Sequence, residues 1–353
     1  TRDFFTVTKT ADSERLLPLP DGCYLVADTE NTLRQRMKSD EGYMRSYCKN
    51  RFYTGSDIAA KLWVGDYQNG DSFHDLAQDA GGIRRLAVLR ADIDNLGQAF
   101  VSGFESEKYG QKYVTLSRTA TFSRKLALFF KLHVNTLLQE GEYSLHVNDE
   151  AGPRKATIVY SGGDDVFIIG AWDDIIGFAV DLNDSLSDYA QGTLTISAGI
   201  GIYPEKYPVA AMARQTGELE DASKAYPGKN AVTLFDESGT HSWDEFINAV
   251  LAEKYELIRD FFQTMQDYGK SFLYRLLDLM RSRDEKINLA RYAYLLARME
   301  PGEKAPDESK KLYQEFSQKM YQWMLDEKAC KQAITAPYIY VYTIRETAEG
   351  EGI

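Results

Sequence analysis

Two short apolar runs, 156–160 and 166–169, are separated by only five residues, Ser161-Gly162-Gly163-Asp164-Asp165. A connection that short cannot cross over to a parallel strand, so the two runs must pair as an antiparallel hairpin. The flanking pattern extends the constraint. An apolar run over 83–92 reads as a strand with little alternation, as expected when both its faces are buried. A helix begins near Asn95, and a long amphipathic helix covers about 112–139. After the hairpin come a helix over 172–189, a Gly-rich strand over 194–203, and a helix over 208–226 stopped by Pro227-Gly228. A final short strand covers 231–235.

This β-α-β-β-α-β order makes the segment α+β, in the ferredoxin-like, split βαβ group. That group has an antiparallel sheet covered by helices on one face. Residues 1–80 read as a small mixed α/β segment with short strands at 22–26 and 61–65 and a charged helix over about 34–45. Residues 81–240 form the hairpin-centred domain. Beyond Ser242, helical spacing recurs over 243–265, 268–281, 287–299 and 308–333, and an alternating run over 339–344 reads as one strand. Residues 241–353 are thus an all-helical C-terminal domain but for that strand. Its charge is nearly balanced, with 16 Lys/Arg against 19 Asp/Glu in a chain of formal net charge −12. The acidity lies upstream and disfavours free binding of polyanions except in a local groove. Cys23, Cys48 and Cys330 lie far apart and form neither a zinc motif nor a disulfide framework, so a reducing, cytoplasmic setting is expected. No apolar run reaches the roughly 18 residues of a membrane span. The first residue is Thr1, and the chain reads as a piece of a longer polypeptide.

Three features carry chemistry. In the hairpin turn, the glycines permit positive φ and close approach, while Asp164 and Asp165 repel each other unless solvated or holding a cation. By itself the turn is explained by turn chemistry. Asp92-Ile93-Asp94-Asn95-Leu96-Gly97 stands where the first strand ends, and the topology brings Asp92 to the edge occupied by Asp164 and Asp165. Three hard oxygen donors there suit Mg²⁺ or Mn²⁺, with waters and triphosphate oxygens completing the shell. Backbone N–H groups of Asn95, Leu96 and Gly97 open a helix and can hold phosphate, although Asp94-Asn95 alone could be an N-cap. Lys229, after the Pro227-Gly228 turn, can reach triphosphate oxygens as a point charge. Alone it reads as a solvated lysine.

The runs Leu89-Arg90-Ala91-Asp92-Ile93-Asp94-Asn95-Leu96-Gly97 and Tyr160-Ser161-Gly162-Gly163-Asp164-Asp165 resemble the second palm domain of the large subunit of type III CRISPR effector complexes, Csm subtype. Leu62-Trp63-Val64-Gly65-Asp66-Tyr67 and the helical tail extend the resemblance over essentially the whole chain. The turn ends Gly-Gly-Asp-Asp, unlike the Gly-Gly-Asp-Glu-Phe of diguanylate cyclases. The resemblance implies a nucleotidyltransferase making cyclic oligoadenylates from ATP on target RNA binding. It implies Asp92, Asp164 and Asp165 as catalytic metal ligands, with the Ile93 carbonyl as a further ligand. Ser161, Gly162 and Gly163 would border the nucleotide, with Lys229 on the triphosphate. Its implied partners are the other complex subunits, small helical subunits at the C-terminal domain, crRNA and target RNA, with no membrane.

The family also has a His-Asp nuclease domain, a first palm and a cysteine-rich zinc element. Here the only His-Asp pair is His74-Asp75, in a short helix. His133, His146 and His241 are scattered and read as surface residues. No DNase activity is expected from these residues. Paired ATP molecules in the family lie between two palms, so this chain alone is expected to bind ATP without joining it efficiently. Two other readings stand beside this one: a cyclase acting on GTP as a homodimer, and a nucleotide-binding scaffold without turnover. Tyr292, Tyr294, Tyr313, Tyr321 and Trp323 lie at helical spacing and read as packing residues rather than base-stacking platforms.

Overall fold

The computed structural model describes residues 4–11, 16–39, 42–50, 59–105, 107–146, 152–265 and 270–345. Near the N-terminus, Phe4–Thr8 (β1), Leu16–Leu19 (β2), Cys23–Asp28 (β3), Tyr43–Lys49 (β4) and Ala60–Leu62 (β5) form a sheet of order β2-β3-β1-β4-β5. Glu30–Ser39 (α1) covers it, and Phe4, Leu33 and Cys48 make its small core. The helix expected over 34–45 ends at Ser39, because Ser46 and Cys48 turn inward on a strand that pairs with β1. The strand expected over 61–65 is shorter. Its last part becomes an extended segment held by Asn50 and Asn135, and this segment lies along the outer edge of the central hairpin.

The central sheet holds Leu86–Ile93 (β6), Ala156–Ser161 (β7), Asp165–Ala171 (β8), Ile196–Tyr203 (β9), Ala231–Leu234 (β10) and Thr240–Ser242 (β11). Its order is β11-β10-β9-β6-β8-β7. The four strands β9, β6, β8 and β7 pair antiparallel, as the βαββαβ reading requires. β10 runs parallel to β9, and β11 pairs with β10, so the sheet is mixed and six-stranded rather than purely antiparallel.

Helices cover both faces, not one. Phe73–Gln78 (α2) and Val209–Ala225 (α7) pack on the face bearing Leu86, Val88, Ile169 and Tyr203. Trp172–Tyr189 (α6) and the helices leading into the hairpin take the other, with Ala87, Leu89, Ala91 and Ile168. Successive residues of β6 thus enter different cores, which is why its sequence does not alternate. The helix expected over 112–139 begins at Thr115, whose side chain accepts from the Arg118 N–H. It runs as Leu116–Leu128 (α4), a π-helical turn Phe129–His133, and Val134–Gln139 (α5), after a short helix Leu96–Ser102 (α3).

In the tail, a π-helical segment Glu245–Tyr255 continues into Glu256–Thr264 (α8), followed by Lys270–Arg281 (α9), Lys286–Ala297 (α10), Asp307–Leu325 (α11) and Glu327–Ile344 (α12). The start expected for the second tail helix, at 268, lies outside the described residues. The helix expected over 308–333 breaks at Asp326, whose carboxylate accepts the Ala329 N–H at 2.7 Å. The 339–344 run is helix, not strand. Ile339, Tyr340 and Val341 are all buried because α12 is wedged among other helices, so apolar residues recur on several of its faces. Tail and sheet share one hydrophobic core, which includes Trp172, Phe178, Phe246, Phe316 and Tyr340. Tyr292 and Trp323 are buried as expected of packing residues, whereas Tyr294 is exposed. No helix among the described residues is long and apolar enough to cross a membrane.

Candidate active site

The hairpin turn is set by the sheet register. Asp92 on β6 lies directly opposite Asp165 on β8, and the Ile93 N–H donates to the Asp164 carbonyl at 3.2 Å. Asp92, Asp164 and Asp165 therefore meet at one sheet edge, as the topology required. The Asp164 carboxyl is raised above the usual carboxylate range, first by burial and then by the charges of Asp92 and Asp165. Tyr160 is raised too, mainly by the Asp165 charge.

Of the two properties expected of the glycines, close approach is used and positive φ is not. Neither Gly162 nor Gly163 has positive φ. Gly162 donates its N–H to the Asp165 carbonyl at 2.8 Å, and a Cβ there would collide with the Tyr160 hydroxyl and the Asp165 carboxylate. Gly163 faces open space, which leaves the turn approachable. The Ser161 hydroxyl points inward and donates to the Phe130 carbonyl at 2.5 Å, in the π-helical turn.

A cleft of about 460 Å³ opens beside the turn, lined by Arg90, Asp92, Tyr160, Asp164, Asp165 and Lys224 among others. Lys224 was missed from sequence. Its ammonium donates to Asp92 and to Glu220, both at 2.7 Å, and Arg90 pairs with Glu220 at 3.1 Å. Burial alone would lower the Lys224 pKa, but its bonds to Asp92 and Glu220 outweigh that and hold it above the usual lysine value. The available signal was Arg90 within an apolar strand, opposite a helix carrying Glu220 and Lys224 four residues apart. The cleft thus combines four carboxylates, one of them Glu220, with two cations.

Lys229 does not line this cleft. It sits at φ 56° and donates to the Asn95 side chain at 2.9 Å. Asn95, itself left-handed at φ 53°, opens α3 without a side-chain cap. Gly97 has open space at its Cα, and Leu96 is partly buried against the core. Asp94 is buried and fully engaged by the hydroxyls of Thr195 and Ser197, each at 2.8 Å, and by the Asn230 N–H at 3.0 Å. It ties the 228–230 loop to the end of β6 and plays a structural part.

Among the described residues, no group of three or more His, Cys, Asp or Glu side chains converges as a finished metal cage. Lys224 draws the Asp92 carboxylate toward itself. The donor set still fits a divalent cation. All the donors are hard oxygens, and their mutual repulsion, registered at Asp164, is what such an ion would relieve. The histidines depart from the surface reading. His241 is buried against the Thr335 hydroxyl at 2.9 Å, His146 pairs with Asp173 at 2.8 Å, and the half-buried His133 bonds Ser185. His74 is exposed and meets Glu205, while Asp75 bonds Ser72 at the start of α2.

A βαββαβ sheet with carboxylates on the hairpin turn and on the adjoining strand end, followed by a helical tail, defines a palm domain with a helical domain. Residues 85–233 match the family model for the second palm domain of Cas10/Cmr2, and residues 259–346 that for the second helical domain of the Cmr2 subunit of the CRISPR RNA silencing complex. The chain belongs to the Cas10/Csm1 family, subtype III-A, and corresponds to the part containing the second palm. It is 45% identical over 337 residues to the CRISPR system single-strand-specific deoxyribonuclease Cas10/Csm1 of Mycobacterium tuberculosis, covering 94% of this chain and 40% of that protein. To the Streptococcus thermophilus protein of the same name it is 42% identical over 316 residues, covering 87% and 39%. The chain therefore spans about 40% of the length of these curated relatives. Among solved structures, Csm1 of T. onnurineus superposes with a TM-score of 0.72 at 21% identity, over 98% of this chain and 50% of that one. A Csm1-Csm4 cassette in complex with cA4 gives 0.69 at 22% identity, over 97% and 48%. The cassette in complex with one ATP gives 0.69 at 22%, over 98% and 48%.

Proposed function

We propose that this chain carries the palm half of a centre that joins ATP into cyclic oligoadenylates within a type III CRISPR ribonucleoprotein, on binding of target RNA. The observation that carries the reading is the meeting of Asp92, Asp164 and Asp165 at the mouth of a cleft that also holds Arg90 and Lys224. Related structures bound to ATP and to cA4 support the choice of nucleotide. Asp92, Asp164 and Asp165, with the Ile93 carbonyl, would hold Mg²⁺ or Mn²⁺. When bound, such ions lower the pKa of a ribose 3′-hydroxyl and neutralise charge on the leaving group.

The chain's own residues supply binding and orientation. Lys224 and Arg90 offer positive charge to the triphosphate, and Ser161, Gly162 and Gly163 border the nucleotide, while Lys229 and the N–H groups of Asn95, Leu96 and Gly97 lie outside the cleft and would meet only a nucleotide that reaches past it. The 3′-oxygen of one ATP forms a bond to the α-phosphorus of the next, and the bond to pyrophosphate breaks. The tail exposes the apolar side chains of Ile287, Tyr294 and Leu325, which would suit contacts with small helical subunits of the complex.

The test uses the complete complex with target RNA, Mg²⁺ or Mn²⁺, and labelled ATP or GTP, beside an Asp164→Ala/Asp165→Ala variant. Cyclic adenylates that disappear in the variant support the reading. Products built from GTP, or nucleotide binding without turnover, overturn it.

A further inference from the structure

Between Glu107 and Glu140 the chain carries Lys108, Lys112, Arg118, Arg124, Lys125 and Lys131 and not one Asp or Glu, although its formal net charge is −12. Among the described residues, none of these six enters an ion pair. A helix that needs only solvation mixes both signs, so a one-signed stretch on an acidic protein calls for an anionic neighbour.

The stretch is also exposed. Within α4 only Leu126 is buried, and Leu116 at its start is 87% exposed. Tyr109 and Tyr113 meet edge to face at 5.2 Å, with Lys108 5.1 Å from the Tyr109 ring and Arg118 4.2 Å from the Tyr113 ring. Cations interleaved with partly exposed aromatic rings suit a flexible strand whose phosphates and bases can both be met. A duplex hides its base faces and would use only the charges. An apolar protein surface would account for Leu116 and Val101 but not for six cations without an ion pair among the described residues.

The arm is tied to the segments that follow Asp92 and precede the turn. Phe122 packs edge-on against Phe100 at 5.0 Å and Phe104 at 6.1 Å, and Phe100 lies on α3, just past Asp92. Downstream, the same helix enters the π-helical turn whose Phe130 carbonyl takes the Ser161 hydroxyl.

We infer that the 108–125 arm is a contact surface for single-stranded nucleic acid, gripping the backbone through Lys108, Lys112 and Arg118 and the bases through Tyr109 and Tyr113. The inference concerns binding and stands whether or not the cleft turns over ATP.

The experiment measures fluorescence anisotropy of labelled oligouridylate, of oligothymidylate of equal length, and of a blunt RNA duplex, on the full-length protein without ATP or metal. Lys108→Glu/Lys112→Glu/Arg118→Glu is expected to weaken single-strand binding at least about tenfold. It should also cut the slope of log K against log salt by about two, as three lost phosphate contacts require. Tyr109→Ala/Tyr113→Ala should weaken binding with the slope unchanged. Lys286→Glu/Lys311→Glu/Lys331→Glu, on the tail, should bind as the parent does. Tighter binding of either single strand supports the inference and identifies the preferred sugar. Unchanged affinity in the arm variants, equal losses in the tail variant, or a duplex bound as tightly as single strands would overturn it.

Discussion

The central hairpin is rich in carboxylates at both ends, and the two ends treat them in opposite ways. At the open end, Arg154 is buried, donates to Asp181 at 2.5 Å and to the Tyr143 carbonyl at 2.7 Å, and lies 3.5 Å from Asp174. Gly141 and Gly177 leave room for its guanidinium, which a Cβ at either position would strike. Asp181 also takes the N–H groups of Glu142 and Tyr143. At the turn, Asp92 alone of the three carboxylates is paired with a lysine, and burial followed by the crowding of its neighbours raises Asp164. Charges closed off by a rigid cation hold the fold together. Charges left crowded and reachable are poised to be completed by something that arrives.

The comparison breaks most visibly at the turn. Asp164→Asn/Asp165→Asn should lower ATP turnover by the complex about 10³-fold or more, with an unchanged or raised melting temperature, since it removes repulsion. A large loss of stability instead would mean that the turn is structural. At the other end, Arg154→Met should cost about 3–5 kcal/mol in urea unfolding, because it strands buried carboxylates. Arg154→Met/Asp181→Asn should recover part of that loss.

His241 offers a pH-dependent contrast within the shared core. Burial lowers its pKa to about 4, against about 6.5 in the unfolded chain. Its contribution is present above pH 6.5 and is lost as the pH falls toward 4, since only the unfolded state readily takes the proton. The loss should be on the order of 3 kcal/mol, and His241→Gln should flatten that part of the stability profile. The smallest effect is expected at Lys224. Lys224→Met should raise the KM for ATP about tenfold with less change in kcat, a loss of about 1.4 kcal/mol in binding.

Legibility in the sequence followed locality. Helix α6 spans the residues its periodicity predicts, and α7 falls within one residue of its expected ends, because a sheet-covering helix repeats its apolar face regularly. The pairing of Asp92 with the turn was readable from topology alone. Lys224 was not, since a lysine four residues after a glutamate reads as a solvated helix face until its direction in space is known. The 339–344 run misled because Ile, Tyr, Val and Thr favour strands locally, while burial on several sides selects a helix. The sixth strand was missed because Thr240–Ser242 has only three residues and no apolar pattern.

Near residue 82 the palm is closed by residues from the far end of the chain. The Ile83 N–H donates to the Tyr342 carbonyl at 2.9 Å, Trp172 meets the Tyr342 ring, and Gly82, at φ 74°, lies too close to the backbone of Tyr342 and Thr343 to carry a side chain. About 260 residues of chain separate the two halves of that contact, which a ribosome takes on the order of 10–50 s to make. The palm therefore emerges with part of its core uncovered and waits for α12 to be translated. A truncated product stopping short of α12 would be an aggregation-prone intermediate rather than a smaller folded palm.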